Sequence, residues 1–326
     1  MTIKKRDRKL DTIKFFAILS IICAHVSPVT NNNTIYQKIS LLLDSLGCLG
    51  VGVFFLISGY LFYQNKETFT EFMKKKVTQI IVPWVFVGTI VYVSVFYFQN
   101  NLSFINYINF LVGNGSYLYY LTVLMILYII YFKLRENKKF IYISTILSIF
   151  SIILTIVFGY NQFSYLNIFN WMLYFNLGVI LNKWKLYSKF CKICSRTFKI
   201  NTILLLCIFG FSLVTNKAIG YWSWHGPVTI FINIMVLFGI NLQSISKNSH
   251  LNMLIEYIGT NSLAFYLVHM SIAGVIVRIT NYANSIVLIA IRPLIVLVIT
   301  LFVIYVYDIM IKKMKIKKLN VLIGIR

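Results

Sequence analysis

Residues 8–27 read RKLDTIKFFAILSIICAHVS, an apolar helix that opens in a basic cluster and carries one histidine near its far end. Lys14 and His25 stand eleven positions apart. At about 100° per residue that is three turns plus roughly 20°, so both side chains project from one face, about 16 Å apart along the axis. Asp11 lies close to the same stripe. A histidine at membrane depth is costly, and its default reading is a functional site facing a bundle interior or a wet cavity. The alternative is an interfacial histidine bonded to a neighbouring helix.

Composition puts this helix in context. Apolar residues make up 59% of the 326, aromatic residues 17% and charged residues only 12%. These values exclude an ordinary soluble domain, and several runs of about 20 apolar residues match the bilayer thickness. The first run lacks a small-residue cleavage site and is read as an uncleaved helix. A net charge of +23 would suit nucleic acid, but its placement argues otherwise. With residue 1 in the cytoplasm, 27 of the 31 Lys and Arg residues fall in segments 1–14, 64–79, 133–139, 183–199, 246–252 and 311–326 on that same side. Lys38, Lys217, Arg278 and Arg292 are left over. The positive-inside rule then predicts both termini in the cytoplasm, with an inner face that attracts anionic lipid rather than nucleic acid. Five cysteines suggest no secreted disulfide frame, and the lone Cys191-Lys-Ile-Cys194 has no second half-site, so no metal is expected.

The expected architecture is an all-α, polytopic membrane bundle of about ten helices, forming one domain over 1–326. Its spans are 12–29, 39–63, 80–98, 116–132, 140–158, 167–182, 200–215, 228–245, 254–280 and 286–311. Segment 99–115 mixes apolar and polar residues as an interfacial helix does. In the second span, Gly47, Gly50, Gly52, Ser58 and Gly59 let backbones approach closely. Lys74-Lys75-Lys76 precede the third span, with Pro83 in its first turns. In the outer loop 216–227, Tyr221, Trp222 and Trp224 beside His225 read as a sugar-stacking platform or as ordinary interfacial anchors. His250 reads as a solvated cytoplasmic residue. In the ninth span Gly259, Ser262, Tyr266 and His269 recur at intervals of three, four and three, a stripe that should face other helices.

Three stretches together carry a family resemblance: R-x-x-D-x-x-K-x10-H (Arg8, Asp11, Lys14, His25), V-x-x-F-F-x-I-S-G-Y-L from Val51, and I-G-x-N-S-x-x-x-Y-L-x-H from Ile258. In order and spacing they resemble the acyltransferase type 3 family of integral-membrane O-acyltransferases, over almost the whole chain. The resemblance implies transfer of an acyl group, most simply acetyl from cytoplasmic acetyl-CoA or another acyl-CoA, to a hydroxyl of a cell-envelope glycan or its lipid-linked precursor. It implies a multi-pass protein of the plasma membrane, with His25 as the catalytic histidine and Lys14 as its basic partner. A paired-arginine motif of the family falls on KKKVTQIIVP, where Lys76 fills the first position and Gln79 departs from the second. A tryptophan usual at the start of the fourth span is replaced by Tyr117-Leu118-Tyr119-Tyr120.

Acyl transfer from a thioester to an alcohol needs a base, oxyanion stabilisation and alignment of both reactants. Lys14, Lys75 and Lys76 are expected to hold the donor's phosphates, with the pantetheine arm running along the face from Lys14 to His25. His25 is expected to deprotonate the acceptor hydroxyl, with Asp44 orienting it as in hydrolytic triads. Ser58, Tyr266 and His269 are expected to bind substrate, the last two by donating hydrogen bonds to the oxyanion or acceptor. A transporter or flippase is the main rival, since many spans with buried polar groups also describe a permeation path, although no inverted repeat is evident. A third reading is a structural partner in a polysaccharide assembly complex.

Overall fold

The computed structural model describes residues 7–97, 102–159, 161–241, 249–314 and 316–325. Of the basic residues counted above, Lys4, Lys5, Arg6, Lys247, Lys315 and Arg326 lie outside them, as do the expected end of the eighth span and residues 98–101.

Helix α1 (Arg8–Val26) begins where the Asp7 carboxylate accepts from the amides of Lys9 (2.9 Å) and Leu10 (3.4 Å), filling two of the donors that a helix start leaves open. The second expected span is two helices, α2 (Thr34–Gly47) and α3 (Leu49–Tyr63), joined through Cys48 into one apolar stretch of 30 residues. The third starts earlier than its hydropathy suggests. Thr68 and Glu71 form a capping box that launches α4 (Phe69–Lys76), so the lysine run is itself helical. A π-helical turn, Val77–Ile81, then carries the chain into α5 (Val82–Tyr97).

The interfacial segment folds as α6 (Phe104–Val112) and stops at Gly113, whose φ of 91° is open to glycine. Next come α7 (Tyr119–Leu134), α8 (Lys138–Phe158), the short α9 (Gln162–Leu166), α10 (Phe169–Lys183), α11 (Tyr187–Arg196), α12 (Phe198–Thr215) and α13 (Gly226–Gly239). The ninth expected span is broken. Asn261 separates α14 (Ser249–Thr260) from α15 (Ser262–Ala283), so the proposed four-residue stripe is not one helix face. Gly259 ends α14 against the Asp11 backbone, while Ser262, Tyr266 and His269 stay together on α15. The last helix, α16 (Ile286–Lys313), is followed by a 3-10 turn, Lys317–Ile323, that folds back against α5.

Among the described residues the protein is all-helical, and six segments are long and apolar enough to cross a membrane: Thr34–Tyr63, Phe69–Phe96, Lys138–Phe158, Phe198–Thr215, Ser262–Ala283 and Ile286–Lys313. Helices α7 and α13 are apolar but shorter. The other two expected spans, α1 and α10, have a physical reason for falling outside that set. Helix α1 carries Arg8, Lys9, Asp11 and Lys14 in its first two turns, and α10 is only 15 residues long; both are largely covered by other helices. Helix α1 packs on α2, α3, α14, α15 and α16, burying Ile13, Ala17, Ile18, Ile21 and Ile22. Helix α10 lies so close to α3 that a side chain on Gly59 would strike the Phe175 carbonyl and one on Gly178 the Leu56 carbonyl. Its buried Asn170 and Asn176 bond to serines and threonines of α8, including Asn176 to Ser144 at 2.9 Å. The periphery is the reverse: Ile146, Phe150 and Phe158 on α8 and Leu206 and Val214 on α12 are exposed, a surface suited to hydrocarbon.

The basic segments gather at one end of the bundle, tied by Arg8–Glu256 (3.2 Å), Tyr187–Asp7 (3.0 Å) and Lys183–Glu136 (3.4 Å). The opposite end is laced by asparagines, with Asn31 bonded to Asn284 at 2.7 Å and Tyr36 to the Asn284 carbonyl at 2.8 Å.

Candidate active site

Helix α1 runs between these ends, so its Lys14 and His25 reach different depths. At the basic end Lys14 lines a cavity of about 120 Å³ together with Ser58, Lys76, Tyr120, Ser262 and Tyr266. The Lys14 ammonium stands 3.3 Å from the buried Asp11 carboxylate one turn earlier. Lys76 reaches the cavity over the face of Tyr128, 4.6 Å from the ring centroid, and also flanks Phe72 at 5.1 Å. It sits just before the π turn, and Ile80 within that turn lines the same cavity, so the extra residue sets which side chains point inward. Ser58 Oγ is 3.2 Å from Tyr120 Oη on the facing wall.

Lys75 does not join them. It is exposed and pairs with Glu67, and that hydrogen bond holds the Glu67 carboxyl below the usual glutamate range. Lys74 and Gln79 are also exposed and contribute nothing to the cavity wall. Of three adjacent lysines, only Lys76 has the rotational phase to face inward.

At the other end His25 lines a larger cavity of about 640 Å³, with Asp44, Tyr117, Tyr119, Tyr221 and Tyr266. The His25 imidazole makes no hydrogen bond among the described residues and is held by ring packing. Its centroid lies 5.3 Å from His269 and 6.1 Å from Tyr117. His269 is fully buried, with Nδ1 3.0 Å from the Phe265 carbonyl. A carbonyl only accepts, so Nδ1 carries the proton and Nε2 bears a lone pair, which is buried with no hydrogen-bond partner among the described residues. In this arrangement His269 is an acceptor, contrary to the expected donor role. The Tyr266 hydroxyl is engaged too, donating to the Tyr117 carbonyl, while Tyr117 Oη donates to the Leu267 carbonyl at 2.9 Å.

Tyr266 belongs to the walls of both cavities. The expected continuous face from Lys14 to His25 is therefore two chambers that meet at one aromatic ring. Asp44 shares the second chamber with His25 but is exposed and makes no hydrogen bond to it among the described residues, so it does not complete a triad here. The aromatic loop divides as well: Tyr221 lines the chamber, Trp222 is buried against Trp171 at 5.3 Å, and Trp224 is exposed. His250 is exposed on α14. Among the described residues no cluster of three or more metal-ligating side chains exists, and Cys191 and Cys194 are free thiols.

Tyr117 and Tyr120 are site residues that sequence reasoning missed. They entered it only as replacements for a tryptophan; Tyr117 lies in the turn before α7 and faces the His25 chamber, whereas Tyr120 in the first turn of α7 faces the Lys14 chamber, so helical spacing does not record their places.

No curated protein and no solved structure matches the chain. A family model described as an acyltransferase domain, that of the type 3 acyltransferases, matches residues 7–309. That match spans α1 with Lys14 and His25, both chambers and most of α16, and the chain therefore belongs to the acyltransferase type 3 family.

Proposed function

We propose that this protein is a membrane O-acyltransferase that takes an acyl group, most simply acetyl, from cytoplasmic acyl-CoA and places it on a hydroxyl of a cell-envelope glycan or its lipid-linked precursor. The observation that carries this reading is the pair of chambers meeting at Tyr266, one holding Lys14 and Lys76 and the other His25. In this reading one domain crosses the plasma membrane about ten times, the basic end and both termini face the cytoplasm, and anionic headgroups neutralise that face.

The chemistry follows from the placement. Lys14 and Lys76 attract the donor's phosphates from the cytoplasmic side, and their chamber leads its thioester towards Tyr266. The acceptor arrives in the aromatic-walled chamber at the other end. Its hydroxyl gives a proton to neutral His25 while the oxygen attacks the thioester carbonyl. The tetrahedral intermediate collapses, the C–S bond breaks, and the departing thiolate takes the proton back from the imidazolium. No covalent acyl-enzyme is required. His269 Nε2, an acceptor, is suited to orient the attacking hydroxyl or the His25 ring, and Ser58 and Tyr120 to line the thioester's approach. Asp44, on the chamber wall, is placed for the acceptor rather than for the imidazole. In a polysaccharide assembly complex the same end would meet the acceptor.

The test uses purified protein in vesicles with radiolabelled acetyl-CoA and acceptor-containing membranes. Label should enter the glycan or lipid-linked fraction, and His25→Ala should abolish this while the protein remains folded and inserted. Near-normal transfer by His25→Ala would sink the role of that residue. Chambers at both ends separated by one ring would also serve a transporter. That reading predicts movement of substrate across sealed vesicles with no label transferred.

A further inference from the structure

Arg292, left over from the count of basic segments, lies in α16 immediately before Pro293 and is fully buried. Among the described residues no carboxylate forms an ion pair with it. Its guanidinium is held by neutral acceptors alone. Nε donates to Thr280 Oγ1 at 2.6 Å and Nη2 to Asn281 Oδ1 at 2.5 Å, both on α15. Nη1 donates to the carbonyls of Val26 (3.1 Å) and Pro28 (2.7 Å), at and just beyond the end of α1.

Burying a cation without a counter-ion is expensive, and such groups persist where their geometry is needed. A helix end leaves carbonyls without partners, and a cation suits the negative end of the helix dipole. Only a planar fork with five donors reaches both helices and the loop at once. The chain position it grips is the residue after His25. Among the described residues His25 has no orienting hydrogen bond of its own, so where its ring sits against His269 and Tyr117 depends on where the backbone of that last turn is fixed.

We infer that Arg292 is a positioning residue for His25, clamping the end of α1 to α15 and α16 so that the imidazole keeps its place in the chamber. The inference rests on the reading of His25 as the base. It is tested with full-length Arg292→Met and Arg292→Lys beside His25→Ala in lipid nanodiscs. Acetyl-CoA binding is measured by calorimetry, and label transfer from acetyl-CoA to acceptor-containing membranes is expressed per acetyl-CoA site. Displacement of a reacting group by about 1 Å costs up to ~100-fold, so Arg292→Met should lower transfer by roughly 10- to 100-fold with acetyl-CoA affinity unchanged. Arg292→Lys should recover part of the loss, because an ammonium reaches the α1 carbonyls but cannot also hold Thr280 and Asn281. Wild-type transfer by Arg292→Met, or a loss of transfer that follows a loss of acetyl-CoA binding, overturns the inference while His25→Ala stays inactive. Transfer by His25→Ala at the wild-type rate instead overturns the reading of His25, and the inference with it.

Discussion

At the scale of single residues the site is decided by which side chains are already committed. Lys75 is bound to Glu67 at the surface, whereas Lys76 lies over Tyr128 on the cavity wall. The two therefore separate cleanly in a kinetic test. Lys76→Gln should raise KM for acyl-CoA about tenfold, the equivalent of one charge-assisted hydrogen bond, and Lys75→Gln should leave it unchanged. Equal effects from both substitutions, in steady-state assays at low salt, would show that the phosphates bind at the surface rather than in the cavity. His25, Lys14 and Tyr266 could be singled out in the sequence because charged and polar residues stand out against an apolar background. The lone pair on His269 Nε2 could not, because it depends on the Phe265 carbonyl one turn away being free to accept.

Among the helices, close packing sets the geometry. The glycines of α3 and α10 bring the two backbones together where Gly59 meets Phe175 and Gly178 meets Leu56. Backbone atoms cannot move aside as a flexible side chain can. Gly59→Ala or Gly178→Ala should therefore cost about 1–3 kcal/mol of stability by overpacking. Gly210→Ala on α12, where an added methyl meets nothing within 4 Å, should cost nothing. Thermal unfolding in detergent checks both, and tolerance of alanine at 59 and 178 would mean that α3 and α10 are not in such close contact. The small-residue pattern of the second span was legible as packing. The break at Asn261 was not, because the run from 254 to 280 is apolar on both sides of it, and the close approach of Gly259 to the α1 backbone beside the break is a tertiary contact.

For the whole molecule, the gathering of basic segments at one end is what the proposed orientation rests on. In a cysteine-free background, Asn32→Cys, in the turn before α2, should react with a membrane-impermeant maleimide on intact cells. Lys189→Cys on α11 should react only after permeabilisation. The opposite pattern would invert the molecule and put the lysine-lined cavity on the wrong side for a cytoplasmic donor. Among the described residues the two chambers share only the Tyr266 wall, which in the proposed reaction would keep donor and acceptor apart until both are bound.

Membrane class, helical architecture, one-sided charge and the family motifs were fixed by the chain alone, because hydropathy, charge and motif spacing are read along it without knowing which helices touch. The relative rotation of the helices was settled only by tertiary packing. It selected Lys76 over Lys75, left Asp44 without a bond to His25, and joined Arg292 to the carbonyls of Val26 and Pro28. Those partners are more than 260 positions apart, and no local pattern records which of two buried helix faces will meet.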